Sequence, residues 1–136
     1  ETSKKTFILN LDQDFNSKKI TKSIEIVYGL RNFIGNANKF SKSKVFINLK
    51  SNNNTTEVII EDDGDGYPSD ILSKIGEPYL RSSRSFNKEK SGLGLGLFIG
   101  KTLLEKNFAT VNCWNSETRS GAEVIIKWNN KDLFNL

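Results

Sequence analysis

Three short runs of polar residues and glycines stand in a fixed order along this chain, and each has a chemistry of its own. In Asn32-Phe33-Ile34-Gly35-Asn36-Ala37-Asn38-Lys39-Phe40, the residues Asn32, Asn36 and Lys39 are spaced four and three apart. On a helix they therefore share one face. An amide oxygen is a hard ligand suited to Mg²⁺, which leans on substrate phosphates, and a lysine adds a point charge for phosphate. An ordinary solvated helix face has the same composition. Asp62-Asp63-Gly64-Asp65-Gly66 follows the apolar Val58-Ile59-Ile60. A carboxylate only accepts hydrogen bonds, so Asp62 is equipped to take the exocyclic amine of adenine and to reject the carbonyl that guanine presents there. Gly64 and Gly66 let the backbone turn sharply and approach a ligand closely. An acidic turn reads similarly. So does half a calcium loop, but the twelfth position counted from Glu61 is Leu72, and the chelating glutamate is missing. The third run, Gly92-Leu93-Gly94-Leu95-Gly96-Leu97, is predicted to open a helix whose free N–H groups point at an anion. It misses the P-loop pattern at Leu95 and the dinucleotide pattern at Leu97. In series, the three runs argue for an ATP site.

The elements that must position these runs are legible from periodicity. Thr6 to Leu11 reads as a strand, and a helix is predicted from about Lys22 to Phe40. Its apolar face is Ile20, Ile24, Val27, Leu30, Ile34 and Ala37. Gly35 within it lowers helix stability by roughly 1 kcal/mol against alanine, so something is expected to need the space. Val45 to Leu49 and Glu57 to Glu61 are strands joined by a turn at Ser51-Asn52-Asn53-Asn54. Residues from about Tyr67 to Ser91 hold both prolines and a short helical piece around Ile71 to Ile75, and are predicted to form a long lid. A helix from Leu93 to Lys106 follows, with Asn107 as a left-handed cap. Two closing strands, Thr110 to Trp114 and Glu123 to Trp128, complete an α/β two-layer sandwich with helices over one face of a mixed sheet.

The chain has 136 residues, enough for one domain with a real core. Its hydrophobic fraction is 36% and its charged fraction 26%, the profile of a soluble globular domain. The net charge of +4 is spread along the chain, with no stripe of Lys/Arg interleaved with aromatics, which disfavours nucleic-acid binding. No run reaches the 18 or so apolar residues that cross a bilayer. The single Cys113 excludes an internal disulfide and suits a reducing cytoplasm, and its strand pattern with Val111 predicts a buried thiol. The chain starts at Glu1 and has no methionine, so a piece of a longer protein is expected.

With all three runs in order, the chain resembles the ATP-binding domain of sensor histidine kinases, in the wider family shared with gyrase, Hsp90 and MutL. Asn32 to Phe40 is similar to the family's asparagine box, and Asp62 to Gly66 and Gly92 to Leu97 to its two glycine boxes. Gly76-Glu77-Pro78-Tyr79 resembles the aromatic box between them. Gly94-Leu95-Gly96-Leu97-Phe98-Ile99 is most similar to the RegB/PrrB-type kinases. The resemblance covers nearly the whole chain and implies a Bergerat-type fold over residues 1–136. It implies that Asn36 binds Mg²⁺, that Asn32 and Lys39 hold phosphates, and that Phe40 stacks near the adenine that Asp62 reads. Gly64 and Gly66 would shape that pocket. Gly92, Gly94, Leu95, Gly96 and Leu97 would hinge the lid and cradle phosphate, and Arg81 or Arg84 would reach the γ-phosphate. Ala122, after Gly121, stands where many relatives place threonine.

The activity so implied is protein-histidine kinase activity, with ATP and Mg²⁺ as cofactors. The γ-phosphoryl would pass to a histidine on a separate upstream dimerisation domain, and a response regulator would be the downstream partner. This chain has no histidine, so it does not phosphorylate itself by that route. The expectation is a cytoplasmic domain, monomeric alone, whose parent is a homodimer and can be anchored in the inner membrane. A nucleotide-binding module of the same fold that contacts a partner without phosphotransfer fits the same motifs.

Overall fold

The computed structural model describes residues 5–11, 23–75 and 88–133, with 88–95 described by backbone alone. The elements are β1 (Thr6–Leu11), α1 (Ile24–Phe40), β2 (Lys44–Ser51), β3 (Thr55–Asp62), α2 (Ser69–Ile75), α3 (Lys88–Lys106), β4 (Thr110–Asn115), β5 (Ala122–Asn129) and α4 (Asn130–Leu133). The strands form one five-stranded sheet in the order β1-β2-β3-β5-β4. β1 runs parallel to β2 and the other neighbours are antiparallel, so the sheet is mixed as expected. α1 and α3 pack together over one face. Ile60, Val124, Ile126 and Trp128 rise from the sheet to meet Phe33, Leu97 and Leu104 in the core. No helix among the described residues is long and apolar enough to cross a membrane.

Local chemistry sets the helix ends. Ser23 is extended and its Oγ accepts from Ile26 N at 3.3 Å, capping α1 at its start. At the other end, the Lys5 ammonium donates to the carbonyls of Asn38 (2.6 Å) and Ser41 (2.8 Å), groups that the helix leaves unpaired. Asp63 fastens the start of β2 to the end of β3. Its carboxylate accepts from the backbone N–H of Lys42, Ser43 and Lys44 at 2.8, 3.0 and 3.1 Å, and from Ser43 Oγ at 2.9 Å. Burial acts to raise this carboxyl, but the hydrogen bonds from Ser43, Lys44 and Lys42 outweigh it and hold Asp63 well below the usual carboxylate range.

Four expectations are corrected. The buried face of α1 is Ile26, Gly29, Phe33 and Ala37, while Ile24 and Val27 are exposed. Glycine carries no hydrophobic signal, yet a Cβ on Gly29 would lie 2.6 Å from Leu104 Cγ, so α3 leaves no room for a side chain there. Gly35 faces open space, with nothing within 4 Å of where a Cβ would sit. The left-handed residue after α3 is Phe108, at φ 75°, not Asn107. Asn107 instead caps with its side chain, donating to Leu103 O (2.8 Å) and Glu25 Oε1 (3.0 Å). Finally, α3 starts at Lys88, so the run Gly92 to Leu97 lies inside the helix and does not open it. The strong helix formers Lys88-Glu89-Lys90 begin the helix, and only its first four N–H groups are left without intrahelical partners.

Candidate functional site

Three elements converge on one cavity of about 240 Å³. α1 brings Asn36, Ala37 and Phe40, the end of β3 brings Asp62, and β5 supplies Ala122 and Val124 as floor. The turn after β3 closes it with Gly66, Tyr67 and Pro68. The walls are mostly apolar, with few polar groups, which suits a flat heteroaromatic ring.

Asp62 is the buried carboxylate of this cavity, at 4% exposure. Its Oδ1 accepts from Gly64 N at 2.8 Å and from Ala122 N at 3.4 Å. Burial raises its pKa, and those two backbone hydrogen bonds only partly offset the effect. The backbone packs tightly around it. A Cβ on Gly121 would lie 2.0 Å from Asp62 O and 2.3 Å from Oδ1, and one on Gly64 would lie 2.1 Å from Phe40 O. Both positions therefore exclude a side chain if Asp62 is to stay where it is.

Beside the cavity lies a polar corner. Asn36 Nδ2 is the one buried side-chain polar atom among the described residues with no hydrogen-bond partner. Asn32 commits its own Nδ2 to Tyr28 O at 2.9 Å. Both amides face Gly96 of α3: a Cβ there would lie 3.4 Å from Asn36 Nδ2, 3.8 Å from Asn36 Oδ1 and 3.7 Å from Asn32 Oδ1. A buried donor without a partner is costly. An anionic oxygen next to Asn36 would satisfy it, and the amide oxygens suit a hard cation.

Of the residues singled out from the sequence, Asn36, Phe40, Asp62 and Gly66 line the cavity, and Asn32 and Gly96 adjoin Asn36. Lys39 does not line the cavity, and its ammonium lies 5.2 Å from the ring centroid of Phe40, which does. Gly64 supports Asp62 from below. Leu97 is completely buried in the core, so its side chain holds α3 down and is not part of the cavity wall. Gly92, Gly94 and Leu95 lie in α3, described by backbone alone. Arg81, Arg84 and Gly76 to Tyr79 lie outside the described residues. Three positions around the site carry no signal in the sequence pattern: Gly121 against Asp62, Tyr67 in the cavity wall, and Asn115 against Gly66 and Tyr67. Gly121 was legible only as the small residue before Ala122.

The match to known proteins agrees with this geometry. Residues 21–132 match the family of histidine kinase-, DNA gyrase B- and HSP90-like ATPases, and the chain belongs to that family. Among its relatives, the sensor histidine kinase RegB of Cereibacter sphaeroides is 39% identical over 124 residues, covering 80% of this chain and 27% of RegB. The sensor protein RstB of Escherichia coli is 34% identical over 99 residues, covering 73% of this chain and 23% of RstB. The chain thus spans about a quarter of the length of these curated relatives. Among solved structures, a nucleotide-free catalytic domain of histidine kinase ThkA superposes with a TM-score of 0.69 at 21% identity, over 90% of this chain and 78% of that one. The mycobacterial sensor histidine kinase MprB gives 0.65 at 21%, over 90% and 80%. These two likenesses establish the same fold.

Proposed function

We propose that this chain is the ATP-binding catalytic domain of a two-component sensor histidine kinase, and that it positions MgATP for transfer of the γ-phosphoryl to a histidine on a separate dimerisation domain. The observation that carries this reading is the buried carboxylate of Asp62 in a ring-sized cavity, with the unpartnered Asn36 amide beside it. In this account Asp62 accepts the adenine amine, Ala122 and Val124 pack on one side of the ring, and Phe40 covers its open edge. Asn32 and Lys39 hold the phosphates, and the magnesium ion would be held by the Asn36 amide oxygen. The ion, when bound, neutralises charge on the phosphate oxygens. In the transfer itself, the bond from the γ-phosphorus to the bridging oxygen breaks and a bond to an imidazole nitrogen forms. ADP leaves and the imidazole gives up its proton. The contribution of this chain is positioning and electrostatics, which dominate catalysis of phosphoryl transfer.

Mixing this chain with the histidine-bearing dimerisation domain of its parent and γ-labelled ATP tests the proposal. Label that appears on that domain, is lost in acid and survives base is the expected result. A response regulator added afterwards should take the label up. ATP binding without any transfer would leave a nucleotide-binding module that works by contact alone.

A further inference from the structure

The turn that walls the cavity is gripped from outside by the edge strand β4. Asn115, the last residue of β4, forms a reciprocal pair of hydrogen bonds with the backbone of Tyr67. Tyr67 N donates to Asn115 Oδ1 at 2.7 Å, and Asn115 Nδ2 donates to Tyr67 O at 3.2 Å. The same carboxamide lies flat against Gly66. A Cβ on Gly66 would come within 2.7 Å of Asn115 Oδ1 and 2.9 Å of its Cγ. Gly66 has φ +83°, a conformation that side chains other than glycine's rarely adopt. The amide thus holds in place a turn that only glycine adopts without strain.

A second side chain of β4 lies beside the other end of the same residue. Tyr67 is 8% exposed, and burial, then the neighbouring Cys113 thiol, hold its phenol well above the usual tyrosine range. Cys113 and Asn115 are two residues apart on one strand, so they project from the same face of the sheet. Their strand partners, Val124 and Ala122, are floor residues of the cavity. One strand therefore holds Tyr67 at its backbone through Asn115 and borders its ring through Cys113. Tyr67 and Gly66 line the cavity and Asn115 does not.

We infer that Asn115 is a positioning residue for nucleotide binding: it fixes the Gly66–Tyr67 wall against which the base must fit, without touching the nucleotide. This inference rests on the nucleotide reading of the Asp62 cavity. Free of the clamp, the Gly66–Tyr67 peptide can turn its N–H and carbonyl toward solvent. The wall then moves relative to Asp62, which β3 and Gly121 hold in place. The clamp is aimed at affinity because the backbone it holds is the wall of the cavity, while the Tyr67 ring stays packed in the core.

The test uses the whole 136-residue chain and two variants. Asn115→Leu keeps a branch at Cγ and a similar volume but removes both hydrogen bonds without adding charge, and Asn115→Ala removes the side chain. MgATP is titrated calorimetrically at a temperature where far-ultraviolet circular dichroism shows each protein folded. In parallel, ¹⁵N–¹H spectra follow the Gly66 and Tyr67 amides. Both variants should bind MgATP about tenfold more weakly, because the wall that the two lost hydrogen bonds held must then be ordered when the base enters. The Gly66 and Tyr67 resonances should shift while those of α1 and β1 stay in place. Folded variants with wild-type affinity would overturn the inference and leave the nucleotide reading intact. If the wild type itself does not bind MgATP, the nucleotide reading falls and this inference falls with it. Should both variants fail to fold, Asn115→Gln, which displaces the amide by one methylene from Tyr67, takes their place with the same weakening expected and wild-type affinity again overturning the inference. Failure of all three would make Asn115 part of the fold itself and overturn the inference as well.

Discussion

Adding one methyl group at Gly121 should damage both the fold and the site, and the structure sets the scale. A Cβ there would sit 2.0 Å from the carbonyl oxygen of Asp62, 2.3 Å from its Oδ1 and 2.6 Å from its carbonyl carbon. Carbon–oxygen contacts normally begin at about 3.3 Å, so one of the two segments must move by about 1 Å. A side-chain rotation cannot relieve this, because two of the three atoms are backbone. That backbone is tied on one side through the Val45↔Asp62 pair and on the other through Glu61↔Glu123. Overpacking of this kind costs about 1–3 kcal/mol. Displacing Asp62 also weakens its hydrogen bonds from Gly64 N and Ala122 N, each contributing about 1 kcal/mol. The expected loss for Gly121→Ala is therefore about 2–5 kcal/mol, which lowers Tm by roughly 10 °C or more in a domain of this size. Where the variant is still folded, MgATP affinity should fall about 10- to 100-fold, because the hydrogen bond lost at Asp62 is charge-assisted. Thermal melting with and without MgATP, followed by calorimetric titration below Tm, measures both effects. A variant that melts within about 1 °C of wild type and binds MgATP as tightly would refute the reasoning.

Other substitutions carry opposite or independent signs. Gly35→Ala adds a methyl group into open space on an exposed turn of α1, and should raise stability by about 1 kcal/mol in chemical denaturation without changing ligand binding. Asp63 has its folded-state pKa held below the unfolded value, so its stabilising contribution is complete above about pH 4 and fades as pH falls further. The acid limb of a Tm-against-pH curve should therefore be shallower in Asp63→Asn, with Tm at pH 7 lower than wild type. Burial pushes the Cys113 thiol up to about 12, so iodoacetamide at pH 8 should leave the native chain unlabelled and modify it quickly once urea unfolds it.

The sheet was readable because its strands are short apolar runs bounded by polar turn residues. Thr6–Leu11 has the bounds expected of it, and β5 buries every second residue from Ala122 to Trp128. The helices were harder. On α1, Leu30, Ile34 and Ala37 pack on the core as expected while Ile24 and Val27 do not, and Gly29, silent in a hydrophobic pattern, faces Leu104 with no room for a Cβ. In α3 the glycines looked like a helix start, whereas Gly96 and Gly100, four residues apart, turn toward α1 and let the two helices approach. Asp62 stood out because it follows an apolar strand and precedes two glycines. Asn115 and Tyr67 had no such signal. They are 48 residues apart, and their pairing depends on β4 lying at the edge of the sheet beside β5, an order that spacing alone does not encode.

The central claim is that this cavity holds adenine against Asp62. Calorimetric titration of MgATP and MgGTP into wild type and Asp62→Asn tests it most directly, because asparagine preserves shape while exchanging an acceptor for a donor. The account predicts saturable MgATP binding, much weaker MgGTP binding, and loss of the MgATP signal in the folded variant. Equal affinity for the two nucleotides, or undiminished MgATP binding by Asp62→Asn, would contradict it.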